Sequence, residues 1–165
     1  MDIQLKIINM KKLLLLLILV SNFVFAQMPN ISNVWQNNSK PYTGTIGNDK
    51  KEIKLKINIS EQNKKNDQEY FVSGYSLVDK TYSKLEGNFV ITKYKDSKKK
   101  GTVYGEYEFA EENKGKHSGI FKGKFIYTFK WNKTTEKIEA QYIELIGNWK
   151  SYDGTLDLKT RLKNQ

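Results

Sequence analysis

The chain has 165 residues, no cysteine, one histidine and a formal net charge of +10. These numbers exclude disulfide stabilisation, a thiol nucleophile and a metal site built on several histidines. Only one of the 28 basic residues is arginine, Arg161, whereas bidentate recognition of phosphate or carboxylate favours arginine. We therefore interpret most of the charge as a solvated surface, with an anionic partner as the alternative interpretation.

The first 26 residues have the pattern of a secretory signal peptide. Lys6, Lys11 and Lys12 precede the apolar run Leu13–Val20, and Val24 and Ala26 occupy the positions read at a cleavage site. A membrane-spanning helix needs about 20 mostly apolar residues, which is more than this run provides. We predict residues 1–26 as a signal peptide, export to the periplasm or the outside of the cell, and a mature chain with no transmembrane anchor.

Alternation of apolar and polar residues dominates the rest of the chain and predicts β-strands. Residues 27–41 are predicted as an N-terminal extension, and residues 42–165 as a single domain. In the segment 52–60, the residues expected to face inward are Ile53, Leu55, Ile57 and Ile59. The eight strands are predicted near residues 42–47, 52–60, 69–78, 82–94, 101–110, 118–131, 137–150 and 155–163.

Short polar loops between these segments favour an antiparallel meander. Because no helix is predicted to cover the apolar face, closure into an eight-stranded up-and-down β-barrel would bury that face and remove the sheet edges. The outward positions are mostly charged or polar, which is typical of a barrel in water rather than in lipid. Ten aromatic residues are assigned to the inward face: Tyr42, Phe89, Tyr107, Phe109, Phe121, Phe125, Tyr127, Phe129, Trp131 and Trp149.

Glycine recurs two residues before an aromatic residue in four predicted strands, as in FKGKF at 121–125. The midpoints between successive glycines fall in predicted loops, so the glycines are expected to face one another across five strands. Such a row either lets a narrow barrel curve or leaves open volume on one wall. The same register places Phe121 beside Trp149 and Phe89 beside Val103. The predicted row consists of Gly74, Gly87, Gly105, Gly123 and Gly147.

Catalytic motifs are absent from the sequence. His117 lies in a polar loop with no indicated partners for a catalytic triad, and a solvated side chain is expected there. Glu111 and Glu112 are interpreted as a solvated pair in the same loop. We predict a protein that is not an enzyme and that has no cofactor or metal. Nucleic-acid binding is not expected, because the aromatic residues and the lysines lie on opposite faces.

The densest basic cluster lies at one predicted hairpin tip. A soluble turn is one interpretation, and docking of an anionic glycan, a lipid headgroup or an acidic protein is the other. The cluster consists of Lys95, Lys98, Lys99 and Lys100.

Three short segments carry a family resemblance: Val72-Ser-Gly74-Tyr-Ser76, Leu85-Glu-Gly87-Asn-Phe89 and Ile146-Gly147-Asn-Trp149. With these segments the mature chain resembles the small exported lipocalin-like barrels of bacteria, calycin-type meanders whose fold is similar to that of lipocalins and avidins. The resemblance implies a binding fold with an interior site. It also implies that Arg161, at the position of an arginine in lipocalins, packs on an early tryptophan, here Trp35.

The leading functional prediction is a monomeric exported binding protein that holds a small hydrophobic or aromatic molecule inside the barrel. The alternative is a surface-interaction module with a solid core, which binds a protein or an anionic glycan through its lysine-rich loops. The residues predicted to bind the ligand in the barrel interior are Ser76, Phe89, Tyr107, Phe125, Tyr127 and Trp149.

Overall fold

The structure is a computed structural model that describes residues 28–97, 100–115, 117–132, 134–135 and 137–164. The predicted signal peptide and two residues of the basic cluster, Lys98 and Lys99, lie outside the described residues.

Eight antiparallel strands follow one another in chain order and close into a barrel, in which the last strand pairs with the first. This confirms the predicted all-β, up-and-down architecture, and every predicted strand end lies within about three residues of the observed one. A four-residue helix, α1 (Ser32–Trp35), and a 3₁₀ turn (Asn37–Ser39) precede the first strand. The strands are β1 (Tyr42–Ile46), β2 (Lys51–Gln62), β3 (Glu69–Val78), β4 (Thr81–Ser97), β5 (Lys100–Glu111), β6 (Gly119–Asn132), β7 (Lys137–Ser151) and β8 (Asp157–Lys163).

One end of the barrel is closed by Trp35, at the end of α1. Its side chain is fully buried, stacks on Phe89 with 4.5 Å between ring centroids and meets Phe125 edge-on at 5.0 Å. The buried hydroxyl of Tyr42 donates a hydrogen bond to the Trp35 carbonyl oxygen at 2.9 Å, which fixes the helix against β1. Part of the predicted N-terminal extension therefore belongs to the core. We call this end, which also carries the β2–β3, β4–β5 and β6–β7 turns, the closed end.

The strand alternation places most of the predicted aromatic residues in the core. Phe129 is partly buried against the core, and the other exception is Trp131, whose side chain is 45% exposed. The prediction for Trp131 is wrong because β6 and β7 continue past the core at the closed end. The buried members of the predicted set are Tyr42, Phe89, Tyr107, Phe109, Phe121, Phe125, Tyr127 and Trp149.

A β-bulge in β2 turns outward one residue that was predicted to face inward. The pairing of β2 with β3 shifts register between Ile57 and Ile59, and Ile59 is 55% exposed whereas Ile57 is buried. An extra residue at a bulge reverses the alternation beyond it. The prediction that Ile59 faces inward is therefore wrong.

The predicted glycine register is right in one hairpin and wrong in the others. Successive strands are staggered, as closure of a barrel from tilted strands requires, so the glycines do not form one straight row. Phe121 does lie opposite Trp149, but Phe89 lies opposite Tyr107 instead of Val103. The observed partners are Leu85 for Gly74, Phe109 for Gly87, Phe125 for Gly105 and Gly147 for Gly123.

The space beside each of these five glycines is filled by the backbone of a neighbouring strand. At Gly87, for example, an added Cβ would overlap the carbonyl oxygen of Glu108. The glycines therefore permit a close approach of strands in a tightly curved wall, and the interpretation that they leave open volume is wrong. The carbonyl oxygens that an added Cβ would meet belong to Lys56, Glu108, Val90, Ile146 and Lys122.

Candidate functional site

The opposite end of the barrel, which we call the open end, contains a recess of about 510 Å3. The β1–β2 and β3–β4 turns form part of its rim, and the inward ends of the strands form its walls. The rim is polar and includes Asp49, Lys51, Asp79 and His117. The apolar walls include Ile46, Val78, Phe121, Trp149 and Leu158.

One carboxylate lies in the wall of this recess. Glu111, the last residue of β5, is only 5% exposed, and both of its carboxylate oxygens accept hydrogen bonds. Oε2 accepts from Trp149 Nε1 at 2.8 Å and from the Gly119 backbone N–H at 3.0 Å. Oε1 accepts from the hydroxyl of Ser76. These bonds compensate the cost of removing a carboxylate from water.

The prediction of a solvated glutamate pair is wrong for Glu111 and fits only Glu112. Glu112 is exposed and forms an ion pair with Lys114 at 2.9 Å. Glu111 differs because β5 continues for one residue beyond the predicted strand, and alternation from Tyr107 and Phe109 then turns Glu111 inward. The alternation of Tyr107, Phe109 and Glu111 was the signal in the sequence that Glu111 faces inward.

The carboxylate of Glu111 has room for a further interaction. A carboxylate offers about four lone-pair positions, and three donors from the protein occupy three of them. Tyr152 donates to the backbone carbonyl oxygen of Glu111 rather than to the side chain. The recess therefore combines apolar walls with one fixed acceptor for a hydrogen-bond donor.

The structure divides the predicted ligand-binding residues between the two halves of the barrel. Trp149 lines the recess. Ser76 does not line it, but its hydroxyl donates a hydrogen bond to Glu111, which does. Phe89, Phe125 and Tyr127 instead surround Trp35, which fills the space between them at the closed end.

Tyr107, the remaining predicted ligand-binding residue, lies in the core and stacks on Phe109 at 5.0 Å between ring centroids. Burial raises the pKa of Tyr107 to about 12 and that of Tyr127 to about 12. Both hydroxyl groups therefore stay neutral at ordinary pH, which fits two side chains packed in the interior of the barrel.

Arg161 does not pack on Trp35, so the expectation from the resemblance is wrong. Its Nε donates to Glu144 Oε1 at 2.6 Å on the outer surface of the barrel, whereas Trp35 lies inside. The alternation of β8 turns Thr160 and Leu162 inward, and Arg161 between them must point outward.

No family model, curated protein or solved structure matches this chain. In the part of the chain that the structure describes, no helix is both long and apolar enough to cross a membrane. The class is thus defined by the fold itself: a closed eight-stranded antiparallel barrel, filled at one end by a tryptophan and recessed at the other.

Proposed function

We propose that the chain is an exported, non-enzymatic binding protein of the lipocalin-like kind, which holds a small and largely apolar ligand in the recess at the open end. The observation that carries the proposal is the combination of a recess of about 510 Å3, apolar walls and one buried carboxylate. Sites for small molecules have this character: concave, mostly apolar, with a few placed polar groups.

The walls indicate the chemistry of the ligand. Phe121, Trp149 and Leu158 offer apolar contact to a hydrocarbon or aromatic body. Glu111 accepts hydrogen bonds and donates none when ionised, so it favours a ligand with an O–H or N–H group at its buried end. Ligands that place a carboxylate or phosphate against Glu111 are disfavoured by charge repulsion.

The alternative function, a solid module that binds through its surface, draws its support from the closed end. There Trp35 fills the interior among Tyr70, Phe89 and Phe125. The two functions use opposite ends of the barrel, and they differ in whether the recess at the open end holds a ligand.

Blocking the recess tests the proposal. We expect N-phenyl-1-naphthylamine, a small aromatic amine that fluoresces in apolar surroundings, to bind the protein saturably. Val78→Trp, at the recess wall, should weaken that binding about tenfold or more, because the larger side chain occupies the ligand volume.

Val90→Trp is the matched control, because Val90 lies in β4 on the outer surface of the barrel. It should leave the affinity for the probe unchanged, and thermal unfolding of both variants shows whether each is folded. Equal probe binding by the protein and a folded Val78→Trp variant would refute the recess as the site.

A further inference from the structure

The hairpins β4–β5 and β6–β7 extend beyond the core at the closed end and end in a basic and apolar surface. Trp131 and Ile138 are paired across β6 and β7 and are 45% and 42% exposed. Four exposed lysines belong to the same two hairpins. We call this surface the basic tip; it consists of Lys95, Lys100, Lys130, Trp131, Lys137 and Ile138.

The basic tip places like charges directly opposite each other. Lys100 of β5 is the register partner of Lys130 of β6, an arrangement that destabilises a sheet. Within the described residues, none of the four lysines of the tip forms an ion pair with a carboxylate. The nearby carboxylate of Glu139 accepts a hydrogen bond from Asn132 instead, at 2.6 Å. The Lys100–Lys130 pair therefore has no ion-pair partner among the described residues, and an anionic partner would relieve the repulsion between the two charges.

The neighbouring apolar pair distinguishes between anionic partners. Tryptophan is enriched at the membrane–water interface, where its ring lies among the headgroups. Trp131 and Ile138 lie at the protruding end of the β6–β7 hairpin, which suits shallow insertion between lipids. Lysines beside such a pair strengthen binding to anionic lipid headgroups.

We propose that the basic tip docks this protein on the surface of an anionic membrane, with Trp131 and Ile138 among the headgroups and the lysines at the phosphates. The closed end would then face the membrane, and the recess would face the surrounding water. This inference does not depend on a ligand in the recess, because it uses the other end of the barrel.

Co-sedimentation with lipid vesicles tests the docking. The protein should bind vesicles of phosphatidylcholine mixed with phosphatidylglycerol and should not bind vesicles of phosphatidylcholine alone. High salt should release it, because screening weakens attraction between exposed charges. The double variant Lys100→Glu/Lys130→Glu should lower the affinity for the mixed vesicles at least tenfold, and Trp131→Ala should lower it several-fold.

The double variant Lys80→Glu/Lys159→Glu is the matched control. It makes the same change in net charge at exposed lysines towards the open end, and it should retain most of the binding. An equal loss in this control, or equal binding to vesicles without phosphatidylglycerol, would overturn the proposal. Binding to a soluble anionic polysaccharide with no binding to vesicles would also overturn it, and would assign the tip to a glycan.

Tryptophan fluorescence adds a local readout of the same docking. Of the three tryptophans, Trp35 and Trp149 are buried, so Trp131 is the one that can enter the headgroup region. The emission should shift to shorter wavelength on addition of the mixed vesicles. Trp131→Phe should abolish the shift, and a shift that persists in this variant would contradict insertion of the tip.

Discussion

Replacing Trp35 with alanine is expected to lower the free energy of unfolding by about 3–5 kcal/mol, the usual cost of removing a large aromatic side chain from a core. Trp35 is fully buried and contacts Phe89, Phe125 and Tyr127 through its ring. Its loss would leave these rings around a cavity, because strands of a closed barrel cannot move together to fill it. Urea unfolding followed by circular dichroism measures the change.

Trp131→Ala is the matched control, because it removes the same side chain from a site that is 45% exposed. We expect a loss of about 1 kcal/mol or less in this variant. If Trp35→Ala costs no more than Trp131→Ala, α1 does not close the barrel in the way described.

Replacing Glu111 with alanine is expected to cost about 3 kcal/mol of unfolding free energy. The variant leaves the N–H groups of Trp149 and Gly119 buried without an acceptor, at about 1–3 kcal/mol for each. The hydroxyl of Ser76 loses its acceptor as well. Urea unfolding again provides the measurement, and probe binding reports on the recess.

Glu111→Gln separates the hydrogen bonds from the charge. Its amide oxygen can replace Oε2 as the acceptor for Trp149 and Gly119, and its amide nitrogen can donate to the Ser76 oxygen. We therefore expect a loss of about 1 kcal/mol or less. A glutamine variant as unstable as the alanine variant would show that the negative charge, rather than the hydrogen-bond network, holds the open end together.

The architecture could be predicted from the sequence because it depends on local signals. Strict alternation and short polar loops define eight strands, and an apolar face without a covering helix requires closure. The register in which neighbouring strands pair depends instead on bulges and on the stagger of the strands. A bulge such as the one between Ile57 and Ile59 leaves no distinct signal in an alternating segment, and strand stagger is set by closure of the whole barrel.

The candidate site was less predictable than the fold. The role of Trp35 was missed because it lies in a segment without strand alternation, and only the folded chain brings it to Phe89. Glu111 was missed because a glutamate followed by another is usually a solvated pair. Continuing the alternation of β5 by one residue would have placed Glu111 inward, although its hydrogen bond from Trp149 is seen only in the folded chain.

The glycines show how one pattern can support a sound inference and a wrong one. Their inward position in the wall was inferred correctly from alternation, whereas the idea that they leave an open volume was not. Side-chain spacing reports the face on which a residue lies, but the approach of a neighbouring backbone, such as Glu108 at Gly87, depends on tertiary structure. The open volume lies at the end of the barrel instead.

The central claim is that the recess at the open end holds a small molecule, and native mass spectrometry of the purified protein tests it most directly. We predict a species heavier than the polypeptide by the mass of one small organic molecule. This species should be present in Val90→Trp and absent from Val78→Trp. The same bound mass in a folded Val78→Trp variant, or the polypeptide mass alone in a protein that also fails to bind N-phenyl-1-naphthylamine, would contradict the claim.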